Sequence, residues 1–185
     1  MRRLVVFNSM SLDGFISDGS GDMSWAHKQD AEWNSFVAGN ASGAGVLVFG
    51  RKTYELMAGY WPTPLAQANS PAVAKRMNQL EKIVFSRSME KAGWQNTSLP
   101  KGELTEEIKR LKRQTGPDLV ILGSASIVAQ LSDARLIDEY QIAVGSVALG
   151  GGKSMFAGIR GKLELQLKGT RSFRNGNVFL TYHPA

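Results

Sequence analysis

The chain has 185 residues, 43% hydrophobic and 21% charged, a composition typical of a globular protein with one domain over residues 1–185. It contains no cysteine and only two histidines, which excludes disulfides, predicts no metal site and is typical of a cytoplasmic protein. The net charge of +6 comes without a nucleic-acid-binding motif, and no apolar run approaches the roughly 20 residues of a membrane span, so an anionic small molecule is the expected partner.

Strand-like and helical patterns alternate along the chain. The predicted strands cover residues 3–8, 45–49, 82–86, 118–122 and 139–147, followed by a hairpin of 162–173 and 178–183 around the turn Asn175-Gly176. The predicted helices cover 30–40, 53–58, 70–80, 103–115 and 125–131, and residues 59–70 and 148–161 are predicted to be irregular. The alternation predicts an α/β protein with a mixed, mostly parallel sheet and helices on both faces.

Two segments share a pattern in which an apolar strand ends in a glycine and a helix begins at once. They are residues 46–55 (VLVFGRKTYE) and 119–126 (LVILGSAS). A glycine at such a corner lets backbone N–H groups approach a ligand, and the start of the helix adds unpaired donors and the positive end of its dipole. Because these groups bind phosphate, two such corners predict a ligand with several phosphates, such as a dinucleotide.

The corner residues are the candidate cofactor ligands. They are Gly50, Arg51, Lys52 and Thr53 in the first corner, and Gly123, Ser124, Ala125 and Ser126 in the second. Arg51 either binds the 2′-phosphate of NADPH or is an ordinary surface arginine. Ser86 and Arg87, at the end of the third predicted strand, present the same two alternatives. The second corner is either a pyrophosphate cradle or a tight turn with a serine cap, and it lacks the G-x-G-x-x-G pattern of the Rossmann fold.

Two aspartates are the candidate catalytic residues. Asp13 follows the first strand, where loops of open α/β sheets face the ligand crevice, or it belongs to a simple Asp-Gly turn. Asp30 borders the apolar face of the first predicted helix, so it either donates a proton from a carboxyl with a raised pKa or caps the helix. Gly150 and Gly151 either allow close approach to a cofactor ring or form a flexible loop.

Taken together, the motifs resemble the dihydrofolate reductase-like superfamily, in the branch of the C-terminal reductase domain of riboflavin-biosynthesis (RibD) proteins. The matching segments follow the family's order over nearly the whole chain: 11–16 (SLDGFI), 49–55 (FGRKTYE), 60–62 (YWP), 83–87 (IVFSR), 122–125 (LGSA), 136–140 (LIDEY) and 149–153 (LGGGK) with Phe156. The resemblance implies a three-layer fold with a mixed, mostly parallel sheet, helices on both faces and a C-terminal antiparallel hairpin.

The resemblance also implies a homodimeric, NADPH-dependent reductase that transfers hydride to a pterin-like or a pyrimidine- or ribosyl-imine-like small molecule. By position, Gly50, Arg51 and Thr53 would bind the adenosine-side phosphates. Ser86 and Arg87 would help to hold the 2′-phosphate, and residues 123–126 would cradle the pyrophosphate. Gly150 and Gly151 would lie near the nicotinamide ribose, and Asp13 beside the substrate. Zinc-dependent deamination is excluded, because the chain has neither cysteine nor an H-x-E motif. The alternative function is a non-catalytic NADP(H)-binding module that serves as a sensor or dimer scaffold.

Overall fold

The computed structural model describes residues 1–26, 30–42 and 45–185. The strands of this part of the chain are β1 (Leu4–Met10), β2 (Phe15–Ser17), β3 (Gly45–Gly50), β4 (Glu81–Phe85), β5 (Thr97–Ser98), β6 (Asp118–Leu122), β7 (Glu139–Val144), β8 (Lys153–Ser154), β9 (Leu165–Ser172) and β10 (Val178–Pro184). The helices are α1 (Ala31–Ser42), α2 (Arg51–Tyr60), α3 (Pro64–Asn69), α4 (Pro71–Gln79), α5 (Leu104–Arg113) and α6 (Ala125–Asp133), with a short 3-10 turn at Ser24–Ala26.

Eight of these strands form one mixed sheet in the order β5-β4-β3-β6-β1-β7-β10-β9. The neighbours from β5 to β7 pair in parallel, whereas β10 pairs antiparallel with β7 and with β9. β2 and β8 form a separate antiparallel pair. The predicted mixed, mostly parallel sheet with a C-terminal hairpin is therefore confirmed. Because β3, β6 and β1 run in the same direction, the residues that follow them meet at one edge of the sheet, here called the carboxyl edge.

The sheet is covered on both faces, which explains why its central strands are apolar without alternation. On one face, Val46 and Val48 of β3 pack with Ile108 of α5 in a cluster that also contains the buried side of α6. On the other face, Leu47 and Phe49 pack with residues of α2 and α4. A third cluster lies on that second face, where aromatic residues of α1 pack against the C-terminal hairpin. The result is the expected three-layer α/β arrangement.

The prediction of an irregular segment at residues 59–70 is wrong, because α3 lies there. The Thr63 hydroxyl accepts the N–H of Ala66 at 3.2 Å, and Pro64 occupies the first position of the helix. The helix predicted over residues 70–80 is α4, which begins with Pro71 after Ser70, but the Ser70 side chain makes no capping hydrogen bond. None of the helices in the described ranges is both long and apolar enough to cross a membrane.

Candidate functional site

A cavity of about 1160 Å³ lies on the face of the sheet that carries α1, α2 and α4, and it reaches the carboxyl edge. Apolar side chains from the sheet form its floor, namely Val5, Phe7, Leu47, Val120 and Leu122. Helices α2 and α4 contribute Leu56, Met57, Val73 and Met77 to its walls. One polar part of the lining lies at the carboxyl edge, where Lys52, Thr53, Gly123 and Ser124 meet residues 152–154, and another lies at the opposite edge, where Arg3 and Asp118 line the cavity. A cavity with an apolar floor and polar groups at its edges is typical of a small-molecule site.

The two glycine corners predicted from the sequence come together at this edge. The backbone N–H of Gly50 donates to the Ser124 hydroxyl oxygen at 2.8 Å. The backbone N–H and the hydroxyl of Ser124 both donate to Oγ1 of Thr53, at 3.1 and 2.9 Å. The corners at the ends of β3 and β6 therefore form one polar junction, called here the corner junction and made of Gly50, Thr53, Gly123 and Ser124.

The glycines of the corner junction are required for a different reason from the one predicted. A Cβ atom on Gly50 would lie 2.8 Å from the Ser124 hydroxyl oxygen, and one on Gly123 would lie 2.8 Å from Cγ2 of Thr53. Gly123 also has a φ of +67°, which disfavours other residues. These glycines thus allow the two corners to approach each other.

The N-terminal end of α6 keeps the predicted donors. Ala125 and Ser126 are the first residues of this helix, so their N–H groups have no carbonyl one turn earlier within it. The N–H groups of Ile127 and Val128 already donate to the Ser124 carbonyl. Ala125 is buried and Ser126 is exposed, and neither is among the described residues that line the cavity.

The predicted basic ligands do not all face the cavity. Lys52 lines it, whereas Arg51 lies on the exposed surface of α2 and pairs with Glu55 one turn later, at 3.0 and 3.2 Å. Arg87 is exposed, and the Ser86 hydroxyl accepts the N–H groups of Ser88 and Met89 within its own turn. The structure therefore brings Lys52 and Thr53 to the cavity, whereas Arg51, Ser86 and Arg87 are not among its described lining residues.

Asp13 joins two loops. Its carboxylate accepts the Ser11 hydroxyl at 2.6 Å and the backbone N–H groups of Leu149 and Gly150 at 3.0 and 2.7 Å. The hydrogen bond from Ser11, together with those from Leu149 and Gly150, lowers the pKa of Asp13 to about 2. The carboxylate is thus ionised at neutral pH and has no proton to give, which favours a positioning role. It is not among the described residues that line the cavity.

Asp30 adopts the capping geometry, the second of its two predicted alternatives. Its carboxylate accepts the backbone N–H of Trp33 at 2.8 Å, and its carbonyl accepts that of Asn34, also at 2.8 Å. It lies outside the described cavity lining, so the structure gives it no contact with the floor. The described carboxylates that do line the cavity are Asp18, which accepts donors from its own turn, and Asp118, which pairs with Arg3 at 3.0 Å.

Sequence reasoning missed two parts of the site. Gly150 and Gly151 do not line the cavity, but Gly152 does, and a Cβ there would lie 2.1 Å from the Ser17 carbonyl oxygen. The third glycine of the run is therefore the one that allows close packing. Asn8 of β1 also lines the cavity and accepts the backbone N–H of Gly123 at 2.7 Å. The available signal was an amide that directly follows the apolar run of residues 4–7.

Known proteins share this architecture over most of its length. The chain is 27% identical over 183 residues to the uncharacterized protein YyaP of Bacillus subtilis, covering 98% of this chain and 95% of that one. A Shewanella sp. PV-4 structure named for riboflavin biosynthesis has a TM-score of 0.76 at 24% identity, with 99% of both chains covered.

Two further solved structures share the fold. Enterococcus faecalis dihydrofolate reductase, complexed with NADP(H), has a TM-score of 0.64 at 16% identity, with 98% of this chain and 96% of that one covered. A Thermotoga maritima diaminohydroxyphosphoribosylaminopyrimidine deaminase/5-amino-6-(5-phosphoribosylamino)uracil reductase has a TM-score of 0.69 at 17% identity, covering all of this chain and 57% of that one. The model of the RibD C-terminal domain matches residues 2–179. A match of that extent shows that the chain belongs to the RibD C-terminal domain family.

Proposed function

We propose that the protein is an NADPH-dependent reductase that transfers hydride to a small molecule, which is either a pterin-like heterocycle or a pyrimidine- or ribosyl-imine-like compound. The observation that carries the proposal is the corner junction, which lies where an apolar cavity reaches the carboxyl edge of the sheet. Its place matches the expectation that phosphates bind at corners where helices begin. The names of two structural neighbours support the same class of reaction, because one is a dihydrofolate reductase complexed with NADP(H) and the other includes a 5-amino-6-(5-phosphoribosylamino)uracil reductase.

The residues present fit a phosphorylated dinucleotide. Lys52 and Thr53 provide a cation and a hydroxyl at the cavity wall, and the first N–H groups of α6 offer donors beside them. Arg51 and Arg87 are exposed at the ends of the two neighbouring strands β3 and β4, where a 2′-phosphate would reach both. When bound, NADPH would supply the hydride, and the protein would supply binding, orientation and exclusion of water.

The cavity has room for a second molecule. Its volume of about 1160 Å³ is above the range of roughly 300–1,000 Å³ of most small-molecule sites. The floor formed by Val5, Phe7 and Val120 offers an apolar surface on which a flat ring can pack. The Asp13 carboxylate would hold the loop of residues 149–150 against the loop that follows β1, so that the two close the same side of the site.

The non-catalytic alternative rests on one observation. Asp30 caps α1 and Asp13 is ionised, so neither of the predicted acids is placed to donate a proton to the floor of the described cavity. A sensor or scaffold needs only the phosphate-binding part of the site. The two functions differ in whether bound NADPH is oxidised.

Calorimetric titration with NADPH and NADH tests the proposal. We expect tighter binding of NADPH, and NADPH oxidation at 340 nm with at least one of dihydrofolate, a dihydropterin and 5-amino-6-(5-phosphoribosylamino)uracil. The absence of NADPH binding would exclude the proposed function, and tight binding without any oxidation would favour the sensor.

The role of Arg51 is tested by releasing it from its partner. Because Glu55 forms an ion pair with the Arg51 guanidinium, Glu55→Gln should increase the affinity for NADPH severalfold without changing the affinity for NADH. Arg51→Ala should weaken the binding of NADPH far more than that of NADH. Arg113→Ala, which removes an exposed cation from α5 on the other face, is the matched control. Equal effects on both cofactors would remove Arg51 from the 2′-phosphate site.

We further propose that the protein is a homodimer. The edge strand β9 is exposed along nearly its whole length, and Leu167 on it is 53% exposed. Such an edge presents unpaired backbone groups to another chain. Light scattering should give twice the chain mass of 20.1 kDa, and Leu167→Lys should shift the mass toward that of one chain.

A further inference from the structure

The side chain of Asn8 has one satisfied end and one unsatisfied end. Asn8 lies near the end of β1, is 6% exposed and contributes to the cavity wall. Its Oδ1 accepts the backbone N–H of Gly123 at 2.7 Å. Its Nδ2 is buried and has no hydrogen-bond partner among the described residues. Burial of an amide donor without an acceptor is unfavourable, so a ligand atom that accepts a hydrogen bond from Nδ2 would stabilise this group.

The orientation of this amide follows from its chemistry. If the amide were rotated by half a turn, its NH₂ group would face the N–H of Gly123, and two donors would meet. The contact with Gly123 therefore holds Oδ1 on the side of β6. Nδ2 consequently lies on the other side of the amide, where a different acceptor has to satisfy it. Asn8 is in this way tied to the corner junction.

The strand order indicates which part of a dinucleotide would reach Asn8. Along the carboxyl edge, Arg87 follows β4, Arg51 follows β3, Gly123 follows β6 and Asn8 lies on β1. Neighbouring strands are about 4.8 Å apart, so Asn8 is about 14 Å from the β4 end, which carries the proposed 2′-phosphate site. A cofactor with its adenosine end at β4 and β3 and its pyrophosphate at β6 places its other half at β1.

We propose that Asn8 is a binding residue for the nicotinamide half of the cofactor, donating its Nδ2–H to an oxygen acceptor there. The acceptor is either the carboxamide oxygen or a ribose hydroxyl, which share this chemistry. The proposal rests on the proposed function, because it takes NADPH as the ligand.

Asn8→Asp is the sharpest variant. The aspartate keeps an oxygen for the N–H of Gly123 but replaces the donor with an anionic acceptor. Asn175 offers a matched control, because its Oδ1 also accepts a backbone N–H, from Asn177 at 3.0 Å, and its Nδ2 is also buried without a partner. It lies in the turn between β9 and β10, outside the described cavity lining.

The assay compares NADPH with 2′,5′-ADP, which has the adenosine end alone. We expect Asn8→Asp to lower the affinity for NADPH by about tenfold or more and to leave the affinity for 2′,5′-ADP within about twofold of the wild type. Asn175→Asp should change neither affinity. Unchanged NADPH affinity in Asn8→Asp would overturn the proposal. Equal losses for NADPH and 2′,5′-ADP would overturn the placement on the nicotinamide half. If the wild type binds no NADPH at all, the proposed function fails and this inference fails with it.

A measurement on the wild-type protein covers the case in which the variant does not fold. In ¹⁵N-labelled protein, the side-chain NH₂ resonances of Asn8 should shift and become protected from solvent exchange when NADPH is added, and should not respond to 2′,5′-ADP. Resonances that respond equally to both compounds, or to neither, would contradict the assignment.

Discussion

The substitution Thr53→Val tests whether the corner junction holds the two strand ends together. Valine has nearly the same shape as threonine but no hydroxyl. The change removes the acceptor of both the N–H and the hydroxyl of Ser124, which is 5% exposed. A buried donor left without an acceptor costs about 1–3 kcal/mol, and the lost hydroxyl contact adds about 1 kcal/mol. We therefore expect the free energy of unfolding to fall by about 2–4 kcal/mol.

Urea denaturation followed by tryptophan fluorescence measures this change, and Thr53→Ser is the matched control. Serine keeps the hydroxyl and loses only the methyl group, so it should cost about 1 kcal/mol or less. NADPH affinity should fall in Thr53→Val and be largely kept in Thr53→Ser, since the junction positions the start of α6. If the free energies of unfolding of both variants lie within about 0.5 kcal/mol of that of the wild type, the hydrogen bonds of Thr53 do not hold the two corners together.

Three further predictions concern other parts of the structure. Asp13→Asn should lower turnover while the affinity for NADPH stays within about twofold. Because the pKa of Asp13 is about 2, the stability that its ionised form contributes at neutral pH should be lost as the pH falls from about 4 to 2. Melting temperatures of the wild type and the variant that fall equally with pH would contradict this. Lys82 is 1% exposed, donates to the carbonyls of Asn78, Leu80 and Gln95, and has a pKa lowered by burial to about 8. The unfolded chain therefore holds this proton more tightly, so the stability of the wild type relative to Lys82→Met should rise by at most about 3.4 kcal/mol between pH 8 and 10.5. A difference in the free energy of unfolding that does not change with pH in urea denaturation would argue against the lowered pKa. Gly152→Ala should destabilise the β2–β8 pair, because the φ of Gly152 is +139° and the added Cβ would overlap the Ser17 carbonyl. Gly151→Ala should be tolerated, because a Cβ on Gly151 would lie in open space. Similar melting temperatures of the two variants would refute the distinction.

Local signals predicted most of the secondary structure. The central strands are short, continuous apolar runs, and the breaks at Gly50 and Gly123 are followed at once by helices. Helix α3 was missed, although Thr63-Pro64 carries the same start signal as Ser70-Pro71, because a six-residue helix has too few positions to show a periodic apolar face. The predicted helix over residues 103–115 is confirmed as α5, and its exposed side carries the ion pairs of Glu106 with Lys109 and of Glu107 with Arg110, both at 2.8 Å.

The site was predicted less completely than the fold. Glycines and hydroxyls at the two corners are recognisable in sequence because each corner is a local strand–helix transition. The roles of single side chains were not, since they depend on distant partners: Asp13 accepts from Leu149 and Gly150, more than 130 positions away. Arg51 differs in that its partner Glu55 lies four residues along the same helix, a spacing that favours ion pairs, although its pairing was not predicted.

The amino-acid sequence by itself determined the order of strands and helices, the two glycine corners and the family to which their pattern belongs, because each of these is set by residues close together in the chain. Only the tertiary structure decided that β6 lies between β3 and β1. That strand order brings Thr53 to Ser124 across 71 positions and Asn8 to Gly123 across 115. Sheet pairing is a contact between distant segments, and no local pattern of side chains encodes which strands become neighbours.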